Sequence, residues 1–320
     1  MKIFVTGGNG FIGSVVVREL IAQGHSVRLL LRKTSKTHRL EGLTYEKCMG
    51  DVREAATLDV SGCEGIIHLA SLSAWADIHS PQMKGVVLDG TRNVLEAAKR
   101  GGNLRTVFVS SITAIAASTE PHVFDEAANF DFEDAGLTYS QFKRDAEKLC
   151  TDAAALGLPV MIVNPGEVYG PHDDDMITAK NLIDFAKSWP VMVCKGGTLV
   201  AYVEDVARGT IAALEKGRPG ERYILGGENL SIRQLADLSG EILGNKKWTV
   251  TFPNGFIKAL TKAATAVHMP LPYEPAVIPY ATRYWYMDSS KAQRELGVTF
   301  RSARASLEPT LAWLKSAGHI

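Results

Sequence analysis

The sequence predicts an α/β fold built on a doubly wound parallel sheet, and three observations carry that prediction. Short apolar runs alternate with helical segments over the first 226 residues, and the connections between them are short. The first run, Lys2-Ile3-Phe4-Val5, leads straight through spaced glycines into a helix.

Taken in order, Phe11 to Gln23 is the first helix, because Ile12, Val15, Val16 and Leu20 recur at helical spacing and Gly24 follows as a C-cap. Val27 to Leu31 is the second strand. Further strands are expected at Thr44 to Met49, Gly65 to Ala70, Arg105 to Val109, Val160 to Val163 and Tyr223 to Leu225. Helices are expected at Pro81 to Arg100, Tyr139 to Leu156 and Val203 to Glu215. After residue 226 the texture changes to helices and proline-rich loops, including Met269-Pro270-Leu271-Pro272-Tyr273 and Tyr284-Trp285-Tyr286. A smaller, mainly helical second lobe is expected there.

The turn Thr6-Gly7-Gly8-Asn9-Gly10-Phe11-Ile12-Gly13 carries the first functional signal. Gly7 permits the tight turn, Gly10 lets the backbone approach phosphates, and Gly13 lets the helix pack closely on the strand, whose helix N-terminus then faces the anion. A strand, helix, strand context around such glycines is the Rossmann-type fingerprint of a dinucleotide site. Residues 1–165, rejoined by 199–226, are therefore expected to form the dinucleotide-binding domain, with 166–198 and 227–320 forming the substrate lobe. At the end of the second strand, where NAD-binding proteins of this fold place an acid that accepts the adenine-ribose hydroxyls, the chain has Arg32, followed by Lys33, Ser35 and Lys36. A guanidinium cannot accept those bonds but pairs well with a 2′-phosphate, so NADP(H) is favoured over NAD(H).

The second signal is Tyr139-Ser140-Gln141-Phe142-Lys143. Residues four apart share a helix face, so the phenol and the ammonium can enter one cleft. A free tyrosine, with a pKa near ~10, is a poor acid-base group at neutral pH, and an adjacent cation is expected to lower it. The strand Thr106 to Val109 ends at Ser110-Ser111-Ile112-Thr113, at the carboxyl edge where open α/β sheets bind ligands. Ser111 is the candidate to hold a substrate oxygen while Tyr139 moves the proton, with Thr113 as its helper.

Composition bounds the remaining classes. With 46% hydrophobic and 22% charged residues and a formal net charge of +0, the chain offers no basic footprint for nucleic acid. The N-terminal apolar run is too short for a signal peptide, and no apolar stretch approaches the ~18 residues of a membrane span. Cys48, Cys63, Cys150 and Cys194 show no paired spacing and read as reduced thiols of a cytoplasmic protein. Asp173-Asp174-Asp175 lacks the partner ligands of a cation site, so no metal is expected. His68 reads as packing at a strand end. The segment Phe256 to Met269, with Lys258 and Lys262, is expected to cover the substrate pocket rather than to touch a membrane, and Trp75, Tyr169, Met192 and Trp285 are candidates for an apolar lining.

Over nearly its whole length the chain resembles the extended branch of the short-chain dehydrogenase/reductase superfamily. The resemblance rests on the glycine motif, Ser111, the Tyr139/Lys143 pair, Gly50-Asp51, His68-Leu69-Ala70-Ser71, Asn164-Pro165-Gly166-Glu167-Val168-Tyr169-Gly170-Pro171, Tyr202 to Ala207 and Tyr223 to Gly227. Within that branch it is most similar to dihydroflavonol-reductase-like and 3β-hydroxysteroid-dehydrogenase-like proteins and to hopanoid-associated sugar epimerases. The resemblance implies that Gly7, Asn9, Gly10, Phe11, Ile12, Gly13, Arg32 and Lys36 hold the cofactor's phosphates and adenine end. It places Asp51 and Val52 at the adenine, Leu69, Ala70 and Ser71 along the middle, and Pro165, Gly166 and Val168 at the nicotinamide. Ser111 would then fix the substrate oxygen, Tyr139 carry its proton and Lys143 hold the nicotinamide ribose. Ser73, Trp75, Thr113, Glu167 and Tyr169 are the substrate-side candidates, and relatives often pair through two helices of the sheet layer, which makes a homodimer an expectation.

Three departures separate the chain from the nucleotide-sugar enzymes. Val87 stands where many relatives carry an Asn in the helix before Gly90-Thr91. Asn164 and Glu167 stand where those enzymes read Arg-Pro-x-Asn-x-Tyr-Gly-Pro, and a carboxylate there would repel a pyrophosphate. Thr198 or an apolar neighbour stands where they place an arginine. The leading reading is therefore a reductase of a ketone or aldehyde on a small, largely apolar molecule. The alternatives are an epimerase that oxidises and re-reduces a bound sugar, and a non-catalytic dinucleotide sensor. A dehydratase is disfavoured because no Asp-Glu pair follows Ser111.

Overall fold

Seven short strands build the central layer of the computed structural model, which describes residues 1–72, 80–129, 136–271 and 273–320. The strands β1 (Lys2–Thr6), β2 (Ser26–Leu31), β3 (Glu46–Met49), β4 (Gly65–His68), β5 (Arg105–Val109), β7 (Val160–Pro165) and β11 (Arg222–Leu225) pair in parallel in the order β11-β7-β5-β4-β1-β2-β3. Alternate residues point to opposite faces. Phe4, Ile66, Phe108, Ile162 and Ile224 pack on the side of α3 (Gly90–Arg100) and α4 (Thr138–Ala155). Ile3, Val5, Leu29, Ile67, Val107 and Val163 pack on the side of α1 (Phe11–Ala22) and α6 (Val203–Lys216). Burial on both faces explains why the inner strands read as largely apolar runs, whereas the edge strand β3, mostly exposed, carries Glu46 and Lys47. Truncating a side chain such as Phe108, 2% exposed, would cost about 3–5 kcal/mol.

The chain leaves β1 toward β2 on one side and reaches β4 on the other, so a crevice opens at the carboxyl ends of β1 and β4. Register places Thr6 opposite His68 at that edge. This switch point positions the site.

A second sheet lies outside the first. It runs β12 (Glu228–Ser231), β10 (Gly197–Tyr202), β14 (Tyr284–Met287), β6 (Val123–Phe124), with β8 (Glu167–Tyr169) also paired to β10. A separate parallel pair joins β9 (Val191–Cys194) to β13 (Thr249–Phe252). Helices α5 (Ala179–Lys187), α7 (Ile232–Ile242), α8 (Asn254–Ala266), α9 (Ile278–Ala281), α10 (Ser290–Leu296) and α11 (Ala303–Ser316) complete this part of the chain.

Two expectations change. Tyr284-Trp285-Tyr286 is a strand rather than a loop: Trp285 and Met287 are buried while Tyr284 and Tyr286 are half-buried, an alternation hidden because all four residues are apolar or aromatic. The segment expected as one helix from Pro81 to Arg100 is α2 (Pro81–Lys84), a π-turn at Gly85–Asp89 and then α3. Such turns often sit at functional sites, and here Val86 of the π-turn faces the crevice. No helix among the described residues is long and apolar enough to cross a membrane.

Candidate active site

A cavity of about 700 Å³ occupies the crevice and extends into the second sheet. At its centre Gly7 has φ +70°, and a Cβ there would meet the backbone N of Ala70 at 2.6 Å, so the β1 turn and the β4 edge touch through bare backbone. A Cβ on Gly13 would collide with the Gly7 carbonyl. Helix α1 begins beside this turn with no side-chain cap and no acid in its first turn, leaving its N–H groups available to an anion. These features fit a dinucleotide pyrophosphate. Gly7, Asn9, Gly10, Phe11, Ile12 and Gly13 all line the cavity.

Arg32, Asp51 and Val52 line one end. Arg32 is exposed, and its backbone N–H donates to Ser35 Oγ at 3.0 Å, which shapes the loop after β2. Ser35 also lines the cavity, a residue singled out in the sequence only as part of a basic turn. Lys36 does not line it; its carbonyl accepts from Asn9 Nδ2 at 3.2 Å and ties the loop to the glycine turn. Asp51 is paired with Arg53 at 2.7 Å, and this hydrogen-bonded guanidinium holds its carboxyl below the usual range.

The roof over this end is charged. Arg39 reaches Asp175 at 3.0 Å, Asp174 at 3.2 Å and the His172 carbonyl at 3.0 Å, and His38 Nε2 lies 2.8 Å from Asp174. Asp173 instead accepts the N–H groups of Thr178 and Ala179 at 3.0 and 2.9 Å, at the start of α5. The three acids are thus spent on structure, and no metal-holding cluster occurs among the described residues.

Leu69, Ala70 and Ser71 follow along the β4 edge, and Pro165, Gly166 and Val168 line the far side. His68 sits beneath them, 1% exposed, with Nδ1 2.7 Å from Thr6 Oγ1 and Nε2 3.1 Å from Thr91 Oγ1. Burial, and then the Lys143 charge, push its pKa down to about 3, which keeps it a neutral strut.

Ser111, Tyr139 and Lys143 converge on the cavity from β5 and α4. Ser111 Oγ accepts from the N–H of Thr113 at 3.2 Å and from Thr113 Oγ1 at 3.0 Å, which leaves its own proton to be donated on the Tyr139 side. Thr113 does not line the cavity; it orients Ser111. The Ser111 hydroxyl bonds Tyr139, which favours the phenolate, yet burial outweighs this and the Tyr139 phenol is pushed up. The expected lowering by Lys143 is therefore not what this geometry gives: Nζ lies 5.9 Å from the centre of the Tyr139 ring and donates to the Val109 carbonyl at 3.0 Å. Lys143 is only 2% exposed, and desolvation lowers its pKa to about 8 against the opposing pull of Glu147. Asn164 braces the pair from β7, donating to the Ser111 carbonyl at 2.9 Å and to Glu147 at 2.6 Å, while Glu147 is held by Arg222 at 2.8 Å.

Glu167 lines the cavity opposite. Its Oε1 accepts from Tyr169 Oη at 2.8 Å and Asn181 Nδ2 at 2.7 Å, and Thr198 also bonds it; burial nonetheless raises its pKa. Tyr169 is fully buried with α5 and α11, and acts on the cavity only through that carboxyl. Trp285 is buried against Tyr280 and Met192 is exposed elsewhere, so neither reaches the cavity. Ser73 and Trp75 lie outside the described residues. Val87 is 1% exposed and supplies only its carbonyl, to Thr91.

Sequence reading missed Tyr280. Helix α4 starts after Leu137 without a side-chain cap from its own segment, and Tyr280 Oη accepts the N–H of Tyr139 instead. Nothing in the spacing of residues 139 and 280 signals this contact.

Comparison with known proteins agrees with the geometry. The model of the NAD dependent epimerase/dehydratase family matches residues 3–226. A Synechocystis protein that carries the name of a dihydroflavonol 4-reductase is 32% identical over 99% of this chain and 95% of its own. "Sterol demethylase protein B" of Methylococcus capsulatus is 29% identical over the full length of both. Among solved structures, gox2253 superposes with a TM-score of 0.87 at 30% identity, covering 99% of each chain. With the family model covering residues 3–226 and a relative 32% identical over nearly the whole chain, the chain belongs to the NAD-dependent epimerase/dehydratase family of extended short-chain dehydrogenases/reductases.

Proposed function

We propose that the protein is a cytoplasmic NADP(H)-dependent reductase of a ketone or aldehyde on a small, largely apolar molecule, or in reverse a dehydrogenase of the alcohol. The observation that carries the reading is the placement of the Tyr139 phenol: half-buried at the cavity, it stands beside Ser111, whose own hydroxyl is oriented by Thr113, and shares its helix with Lys143, which lines the same cavity. Such a phenol is suited to donate a proton to a developing alkoxide.

The bound nicotinamide would supply the hydride. Tyr139 Oη gives its proton to the substrate oxygen, Ser111 Oγ–H holds that oxygen, and Lys143, released from the Val109 carbonyl, holds ribose hydroxyls. Arg32 is assigned the 2′-phosphate. Residues 166–198 and 227–320 are proposed as the substrate side, where Glu167 disfavours a diphosphate: its carboxyl has no cation partner among the described residues, so an anionic neighbour raises an already unfavourable charge. Names of relatives point the same way, including a quinoline-oxide ketoreductase of Stigmatella aurantiaca, 28% identical over 99% of this chain.

The test is consumption of NADPH with a panel of aryl and alicyclic ketones and aldehydes, run beside UDP-sugars. Reduction of carbonyls with no saturable response to UDP-sugars is expected. Interconversion of a UDP-sugar without net NADPH loss would replace the reductase by the epimerase.

A further inference from the structure

Eleven large apolar side chains are exposed among the described residues, and seven of them fall between 189 and 192 or between 248 and 269. Trp189 and Trp248, 76% and 67% exposed, stand at one end of the β9/β13 pair, where the Val191 N–H donates to the Trp248 carbonyl at 3.0 Å. The inner residues Val191 and Val193 pack with Ala236 of α7. The outer row sets Met192 beside Val250 and Cys194 beside Phe252, and Phe252 stacks on Phe256 in the first turn of α8 at 5.7 Å. Helix α8 continues the apolar surface through Phe256, Leu260 and Ala263 to Val267, a one-sided helical spacing, and buries only Thr261 and Ala264.

None of these residues lines the 700 Å³ cavity, so the expectation that this helix covers the substrate pocket is not met. An exposed apolar face of this kind marks an interaction site. Its charge says which kind. Residues 185–203 and 246–273 contain six lysines and no Asp or Glu, in a chain whose 35 bases and 35 acids balance. Lys247 is spent on backbone carbonyls, among them Ser188 at 2.9 Å, and Lys246 leans on Glu241 at 3.6 Å. Lys187, Lys195, Lys258 and Lys262 make no ion pair among the described residues.

A second copy of the chain fits this face poorly, because a two-fold contact would set lysines against lysines with no acid of either segment to pair them. An anionic bilayer surface fits both properties: tryptophans suit the headgroup boundary, an apolar stripe enters the acyl edge, and lysines with long stems reach phosphates from the helix's other exposed side. We infer that the face formed by Trp189, Trp248, the outer row of β9/β13 and α8 docks the protein peripherally on anionic phospholipid membranes.

The test is flotation of the full chain with vesicles of phosphatidylcholine containing one-third phosphatidylglycerol, against vesicles of phosphatidylcholine alone. Binding to the anionic vesicles is expected, with a blue shift of tryptophan emission and a steep loss as salt is raised. Lys258→Gln with Lys262→Gln should weaken it roughly 25-fold, about 5-fold for each lysine. Phe256→Gln with Leu260→Gln should abolish it while NADPH affinity and melting temperature stay at wild-type values, which shows that the variant is folded. Three results overturn the inference: no flotation on anionic vesicles, equal flotation on neutral ones, or a dimer in light scattering that Phe256→Gln with Leu260→Gln converts to monomer, which would give the face to a second copy.

Discussion

The hydroxyl oxygen of Tyr280 accepts the backbone N–H of Tyr139 at 3.0 Å and that of Ser140 at 3.4 Å. These N–H groups belong to the first turn of α4, where a helix has no partners of its own, so a residue 141 positions later in the chain serves as the cap. Tyr280 is in turn fixed by Trp285, whose ring stacks on it at 5.9 Å and whose Nε1 donates to its carbonyl at 3.0 Å. Tyr280→Phe keeps the stacking and removes the acceptor. It should lower stability by about 1 kcal/mol, the usual worth of a cap, and reduce turnover several-fold with the cofactor dissociation constant unchanged. Denaturation midpoints and steady-state rates check this, and an unchanged kcat would remove Tyr280 from the positioning of Tyr139.

Tyr139→Phe should reduce turnover by roughly 10²-fold or more, the range of general acid-base groups, with little effect on cofactor affinity. Lys143→Ala should damage both. Rates on an active carbonyl substrate, with cofactor fluorescence titrated alongside, separate the two effects; wild-type turnover in the Phe variant would take Tyr139 out of the mechanism.

Lys143 carries a pH signature in the free protein. Its folded pKa of about 8 lies below the unfolded value of 10.5, so below pH 8 both states are charged and burial of the ammonium costs stability in full. Between pH 8 and 10.5 the unfolded state binds the extra proton, and this group's contribution makes stability rise with pH. Lys143→Met should therefore raise the melting temperature at pH 7 while abolishing activity, and the gain should shrink as the pH approaches 10. Equal melting curves for the two proteins at pH 7 would contradict the buried charge.

Arg32 sets cofactor choice in the proposed reading. Arg32→Asp should lose a charge-assisted bond to the 2′-phosphate worth roughly 1.5–3 kcal/mol, shifting the NADPH to NADH affinity ratio about 10- to 100-fold toward NADH. Calorimetric titration of both cofactors measures the ratio. Equal affinities in the wild type, or an unmoved ratio in the variant, would show that this position does not read the phosphate.

The ion pairs between Arg39 and the pair Asp174 and Asp175 span the roof of the cofactor end. Asp174→Asn with Asp175→Asn should speed cofactor release several-fold and make it less sensitive to salt, since partly exposed pairs are screened and each is worth at most about 1 kcal/mol. Stopped-flow displacement of NADPH at low and high salt reads both. Identical release rates would show that the roof does not gate the cofactor.

Much of the cofactor side was legible in the sequence because local rules govern it. Gly7 and Gly13 are dictated by a turn and a backbone contact within thirteen residues of the N-terminus, and the four-residue spacing of Tyr139 and Lys143 is a property of one helix. Strands buried on both faces announce themselves as apolar runs. The tyrosine strand Tyr284–Met287 was not legible, since four apolar or aromatic residues show no alternation until something covers one side. Thr113 and Tyr169, expected on the substrate side, do not line the cavity, because whether a side chain faces a cavity or stands behind the residue that does depends on neighbours far along the chain.

The sequence by itself determined the parallel sheet, through its apolar runs, and the glycine cradle, through its spacing, while its resemblance to known enzymes pointed to the family and singled out Ser111, Tyr139 and Lys143 as candidates. Tertiary structure alone decided the electrostatics and the supports. It placed Tyr280 on the first turn of α4, Asn164 and Glu147 behind Ser111 and Lys143, Arg39 against Asp175, and Glu167 in a pocket where no cation pairs with it among the described residues. It also decided the sign of the Tyr139 shift, where burial outweighs a serine hydrogen bond. Desolvation and long-range hydrogen bonds depend on what the folded chain brings within a few ångströms, and no local pattern in the sequence encodes that distance.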